Sequence, residues 1–178
     1  MGNLLERLAG GDRRSIGRSD QVVEFVLRNP GAFEQIISGL RSDGVLVRMR
    51  CADVAEKVSA IHGDWLQAHK ATLLALAAET TQQELRWHLA QMLPRLKLSP
   101  GERLVAAESM FNYLEDKSRI VKTFAAQALA DFAEHDPELR KRVVPILRNL
   151  ERTGSPAVRS RARRLNARLQ KQAVSAAP

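Results

Sequence analysis

The sequence predicts an all-α chain, a solenoid of about four antiparallel helix pairs with one further helix ahead of them. The first observation is a short pattern that stands four times in register. Its copies are Val47-Arg48-Met49-Arg50-Cys51-Ala52-Asp53-Val54, Leu85-Arg86-Trp87-His88-Leu89-Ala90-Gln91-Met92, Val121-Lys122-Thr123-Phe124-Ala125-Ala126-Gln127-Ala128 and Val158-Arg159-Ser160-Arg161-Ala162-Arg163-Arg164-Leu165. Their first residues are 38, 36 and 37 positions apart, and a fixed period of that size marks stacked helical pairs. The second observation is an apolar trio ahead of each copy: Ile36, Ile37 and Leu40; Leu73, Leu74 and Ala77; Met110, Phe111 and Leu114; Ile146, Leu147 and Leu150. Positions zero, one and four share one helix face, so each unit reads as two helices.

The elements follow in order. Met1 to Gly10 is a short amphipathic piece around Leu4, Leu5 and Leu8. The stretch from Gly10 to Ser19 holds three glycines and no apolar period, so residues 1–19 read as an N-terminal segment and a loop. Ser19 or Asp20 can cap a helix that runs through Val22, Val23, Phe25, Val26 and Leu27 to Asn29, where Pro30-Gly31 stops it. Turn residues then divide the solenoid, 20–172, into units over about 20–61, 64–97, 99–134 and 136–172, with 173–178 as a tail. Ser99-Pro100-Gly101-Glu102 has the form of a capping box, and Thr81 with Glu84 repeats it.

The second helices can be divided by face. At about 100° per residue, Cys51, Val54, Ala55 and Val58 fall on the same side as Val47 and form the core stripe. Ala52, Ala90 and Ala126 lie on one flank, where small side chains admit a neighbouring repeat; Arg163 takes that place in the last copy. The opposite face carries Met49, Asp53 and Glu56, then Trp87 and Gln91, then Thr123, Gln127 and Ala130, then Ser160, Arg164 and Ala167. A tryptophan there supplies the large contact area that binding hot spots favour. The residues expected to bind a protein or peptide partner are therefore Met49, Asp53, Trp87, Gln91, Thr123 and Gln127.

The formal charge is +8, and it is unevenly spread. Residues 138–171 hold eleven cations against two acids, whereas residues 1–137 hold seventeen against eighteen. Two readings of the basic end stay open. It is a polar cap on the last repeat, or it binds nucleic acid through Arg159, Arg161, Arg163, Arg164 and Arg168, with Arg13, Arg14 and Arg18 of the glycine loop holding a phosphate. Arg48, Arg86, Lys122 and Arg159 recur at one place in the repeat and are expected to bond loop carbonyls or acids within the stack.

The remaining residues carry no catalytic or metal-binding pattern of recognised spacing. His62, His69, His88 and His135 form no His-Glu-x-x-His, and neither a P-loop nor a dinucleotide glycine motif occurs. The single cysteine, Cys51, lies on the apolar stripe and reads as packing. The expectation is a protein without cofactor or metal and without catalysis. One cysteine, no secretion signal and no apolar run near the roughly 20 residues a membrane span needs lead to a cytoplasmic expectation.

The aliphatic-cation-small pattern of the second helices, with Pro145 inside Val143-Val144-Pro145-Ile146-Leu147, resembles the HEAT repeat family, and the three-helix first unit has an armadillo character. The resemblance spans about residues 20–170. It implies a right-handed α-α superhelix whose second helices line a concave face, and a scaffold role. The alternative it implies is nucleic-acid binding, as in the HEAT-like alkylpurine glycosylases, with Asp53 the nearest acid to Trp87.

Overall fold

The structure, a computed structural model, describes residues 3–12 and 15–175, with side chains through 171. Among the described residues there are ten α-helices and no strand. The chain forms two compact units, Met1–Leu96 and Lys97–Pro178.

The first unit contains α1 (Leu4–Leu8), α2 (Ser19–Arg28), α3 (Phe33–Gly39), α4 (Val45–Ile61), α5 (Lys70–Glu79) and α6 (Gln83–Met92). Short 3-10 turns at Pro30–Ala32, Gly63–His69 and Leu93–Arg95 join or extend them. Helix α4 is the centre, packed by α1, α2, α3 and α6. Its stripe is as the periodicity predicts: Cys51, Val54, Ala55 and Val58 are fully buried. Burial pushes the Cys51 thiol up to about 12, so it stays protonated and serves as an apolar filler.

Because α4 is covered from several sides, its core is wider than a surface helix's stripe. Met49, expected on the outward face, is only 9% exposed and belongs to the core. The amphipathic N-terminal piece packs into the same unit. Leu4 and Leu8 of α1 are buried, so this piece is part of the unit's core and not an appendage.

The second unit contains α7 (Pro100–Tyr113), α8 (Arg119–Ala133), α9 (Pro137–Thr153) and α10 (Pro156–Ser175). Helix α8 is packed by α7, α9 and α10, which explains why Ala130, placed outward by the helical projection, is fully buried. Pro145 sits inside α9 at an exposed position, where water can take the carbonyl that its missing N–H leaves unbonded. Of the expected tail, residues 173–175 continue α10 and 176–178 lie outside the described residues.

Helix starts follow the capping logic in part. The Ser99 hydroxyl accepts from the Glu102 amide at 3.3 Å while the Glu102 carboxylate accepts from the Ser99 amide at 2.8 Å, completing the capping box. Asp136 and Ser118 cap α9 and α8 by the same side-chain route. The Thr81–Glu84 box does not form: Glu84 is buried, and α6 starts at Gln83 after an N-cap, Gln82, that makes no side-chain cap bond. Ser19 and Asp20 do not cap α2 either, since Arg18 is the N-cap; Ser19 is buried and donates to the Ile16 carbonyl, and Asp20 pairs with Lys57.

Arginine ties three turns, without a side-chain cap at α4 and α6 and alongside the Asp136 cap at α9. Arg48 donates to the carbonyls of Ser42 and Asp43, Arg86 to that of Thr80, and Arg140 to those of Ala133 and Glu134. Each is the fourth residue of its helix, and each bonds carbonyls five to seven residues back. Arg48 also donates to Gln82, whose amide donates to the Val45 carbonyl, so consecutive turns of the first unit are tied to each other.

Candidate partner-binding site

Trp87 lies in the first turn and a half of α6, partly exposed, with its ring 5.6 Å from that of His88. The neighbouring α4 contributes a charged line: Lys57 bridges Asp53 at 2.9 Å and Asp20 at 2.8 Å. Burial works against the Lys57 charge, but the two carboxylates outweigh it and raise its pKa above the ordinary value. Farther along, Arg95 donates to the Glu56 carboxylate, the Glu56 carbonyl and the Ser59 hydroxyl, fixing the turn after α6 onto α4.

His88 is buried beneath this surface, and its Nδ1 has no hydrogen-bond partner. Burial pulls its pKa below the ordinary 6.5, against the charges of Asp53, Glu56 and Glu84, while Lys57 adds to the lowering. As pH falls through 6.5, unfolded chains take up a proton here and folded ones do not, so stability falls until the folded histidine also titrates. We expect this group to contribute a loss of up to about 1.4 kcal/mol per pH unit. Denaturation of wild type and His88→Gln between pH 7.5 and 5.5 checks this, and equal slopes for the two proteins would refute it.

The expected partner residues are thus divided. Asp53, Trp87 and Gln91 lie on the adjoining helices α4 and α6, and Gln91 donates to the carbonyl of Trp87. Met49 is removed to the core. Thr123 and Gln127 belong to the second unit and are engaged there: Thr123 donates to the Arg119 carbonyl, and Gln127 links Arg161 to Asp131.

Candidate phosphate-binding residues fare unevenly. Arg13 and Arg14 lie outside the described residues, and Arg18 is exposed. The loop around them holds a cation already. Arg50, 2% exposed, donates to the carbonyls of Leu8, Gly10, Asp12 and Ser15. A phosphate cradle presents N–H groups; this loop presents oxygens. Gly10, Gly11 and Gly17 adopt positive φ to make the wrap, and at Gly17 a Cβ would stand 2.8 Å from the Arg50 guanidinium carbon. Among the C-terminal arginines, Arg161, Arg163 and Arg168 bond Gln127, Glu151 and the Asp131–Glu134 pair respectively, whereas Arg159 and Arg164 are exposed.

Sequence reasoning missed Arg50 and the cluster around Trp65, which stacks on His62 at 4.4 Å and meets the Phe33 ring edge-on at 5.8 Å. A signal for Arg50 existed. It stands three residues after Val47, only about 60° from the core stripe on a helical projection, the place His88 holds in the next copy.

No group of three or more histidine, cysteine or acidic residues among the described residues could hold a metal ion, and no helix there is long and apolar enough to cross a membrane. The geometry defines an all-helical protein with a mixed aromatic and charged surface on α4 and α6. No family model and no curated protein matches the chain. An engineered protein whose crystal structure came from the Northeast Structural Genomics Consortium is similar in fold, with a TM-score of 0.60 at 20% identity, covering 94% of this chain and 80% of that one.

Proposed function

We propose that the chain is a non-catalytic helical-repeat scaffold of the cytoplasm, a right-handed solenoid resembling HEAT repeats, that binds a protein or peptide partner. The single observation that carries the reading is the partly exposed Trp87 on α6, the helix packed on α4, which carries the Asp53–Lys57 pair. An aromatic anchor flanked by ordered charges gives a partner both contact area and register. Arg48 and Arg86, each at the fourth place of its helix, support the repeat reading, because one chemical device recurs at two successive within-pair turns. Nucleic-acid binding is the second reading, and Arg159 and Arg164 are the basic-end candidates that make no side-chain bond among the described residues.

Affinity capture from the native lysate with wild type and Trp87→Ala tests the first reading. Trp87→Ala is expected to lose a specific partner while costing about 1–2 kcal/mol of stability, an ordinary value for a partly exposed site. Identical partner lists would count against the site. The same preparations on immobilised duplex DNA separate the readings, since binding through several phosphates must weaken steeply with salt. Strong, salt-sensitive retention that Trp87→Ala leaves intact favours the second.

A further inference from the structure

A hollow of about 620 Å³ opens in the first unit between α1, α2 and the turn at Pro30–Ala32. Its volume lies in the range of small-molecule sites. Leu4, Phe25, Pro30 and Ala32 supply apolar walls, and the charged residues lining it are Arg7 and Arg28, with no acid. Arg7 is held over the Phe25 ring, 5.5 Å from its centroid, so a guanidinium is fixed against the apolar surface. Arg28 reaches Glu24 at 3.3 Å, but both side chains are largely exposed, and such a pair contributes little in water. The Arg28 fork therefore remains open to a better partner.

We infer that this hollow binds a small amphiphile with an apolar body and a single carboxylate, a medium-chain fatty carboxylate being the simplest member. The apolar walls take the body. Arg7 and Arg28 take the head, because a guanidinium fork matches a carboxylate in two parallel bonds. Neither charge faces an acid within the lining that would favour a cationic head instead.

Calorimetric titration with dodecanoate, below its micellar concentration, tests the assignment, with dodecyltrimethylammonium as the probe of opposite charge. Dodecanoate is expected to bind at least about tenfold more tightly than the ammonium amphiphile, a difference that corresponds to about 1.4 kcal/mol. The Arg7→Ala/Arg28→Ala double variant should lose that preference. Gly31 lines the hollow, has ordinary φ, and an added Cβ there meets nothing within 4 Å, so Gly31→Phe is the variant that blocks it. It is expected to abolish dodecanoate binding with an unchanged thermal midpoint. Trp87→Ala should bind dodecanoate normally, which keeps this site distinct from the partner surface. Equal binding of both amphiphiles, or dodecanoate binding indifferent to the arginines and to Gly31→Phe, overturns the assignment. So does concentration-dependent dimerisation that Gly31→Phe abolishes, which would give the hollow to a second copy of the chain.

Discussion

Arg50→Ala is expected to lower the stability of the first unit by about 3 kcal/mol, the scale for breaking a buried charge away from its acceptors. Four carbonyls, those of Leu8, Gly10, Asp12 and Ser15, converge on one guanidinium. Removing it leaves the Leu8 carbonyl buried without that bond and leaves the loop's three positive-φ glycines with nothing to wrap. Hydrogen exchange should show the signature directly. Amides of residues 9–12 and 15–19 lose protection while those of α7–α10 keep theirs. Arg50→Lys is expected to recover only part, because an ammonium has three donors and no planar fork. A loss below about 1 kcal/mol for Arg50→Ala would mean that water replaces the guanidinium.

Gly39→Ala should cost about 1–3 kcal/mol despite placing a better helix former in α3. Two effects compete. Alanine in place of a helical glycine gains roughly 0.5–1 kcal/mol, but the new Cβ would press into the Cys51 sulfur and lie 2.6 Å from a Leu5 methyl. The Cys51 sulfur cannot yield freely, since Cys51 is fully buried on α4, whereas the Leu5 methyl ends a half-buried side chain and can shift. Overpacking of a closed site therefore outweighs propensity. Chemical denaturation of Gly39→Ala, Cys51→Ala and the double variant checks the cause, with a favourable coupling of about 1 kcal/mol expected for the pair. Additive costs would place the strain elsewhere.

Both sites show where the sequence was legible and where it was not. Period and apolar spacing sufficed to place α4, α6, α8 and α10 and to mark Cys51, Val54 and Val58 as core, because those signals are local. Met49 and Ala130 failed for a non-local reason: a helix packed on several sides has no single wet face, and a projection of one helix cannot know its neighbours. Arg50 failed differently. A charge reads as exposed until the acceptors that compensate it are known, and its acceptors come from a segment some forty residues earlier. At the candidate site, Trp87 was identifiable by type and place, whereas the Lys57 bridge from Asp53 to Asp20 depends on how α2 lies beside α4.

The arginines at the fourth position of α4, α6 and α9 also separate turn angle from turn sequence. Ser42-Asp43-Gly44, Thr80-Thr81-Gln82 and Glu134-His135-Asp136 have little in common, yet each is closed by a guanidinium on a backbone carbonyl of the turn. The angle is then encoded in a side chain inside the following helix, and the connecting residues become interchangeable parts. New turns can be grafted between these helices, with insertions or recognition motifs, as long as the arginine downstream still finds its carbonyls.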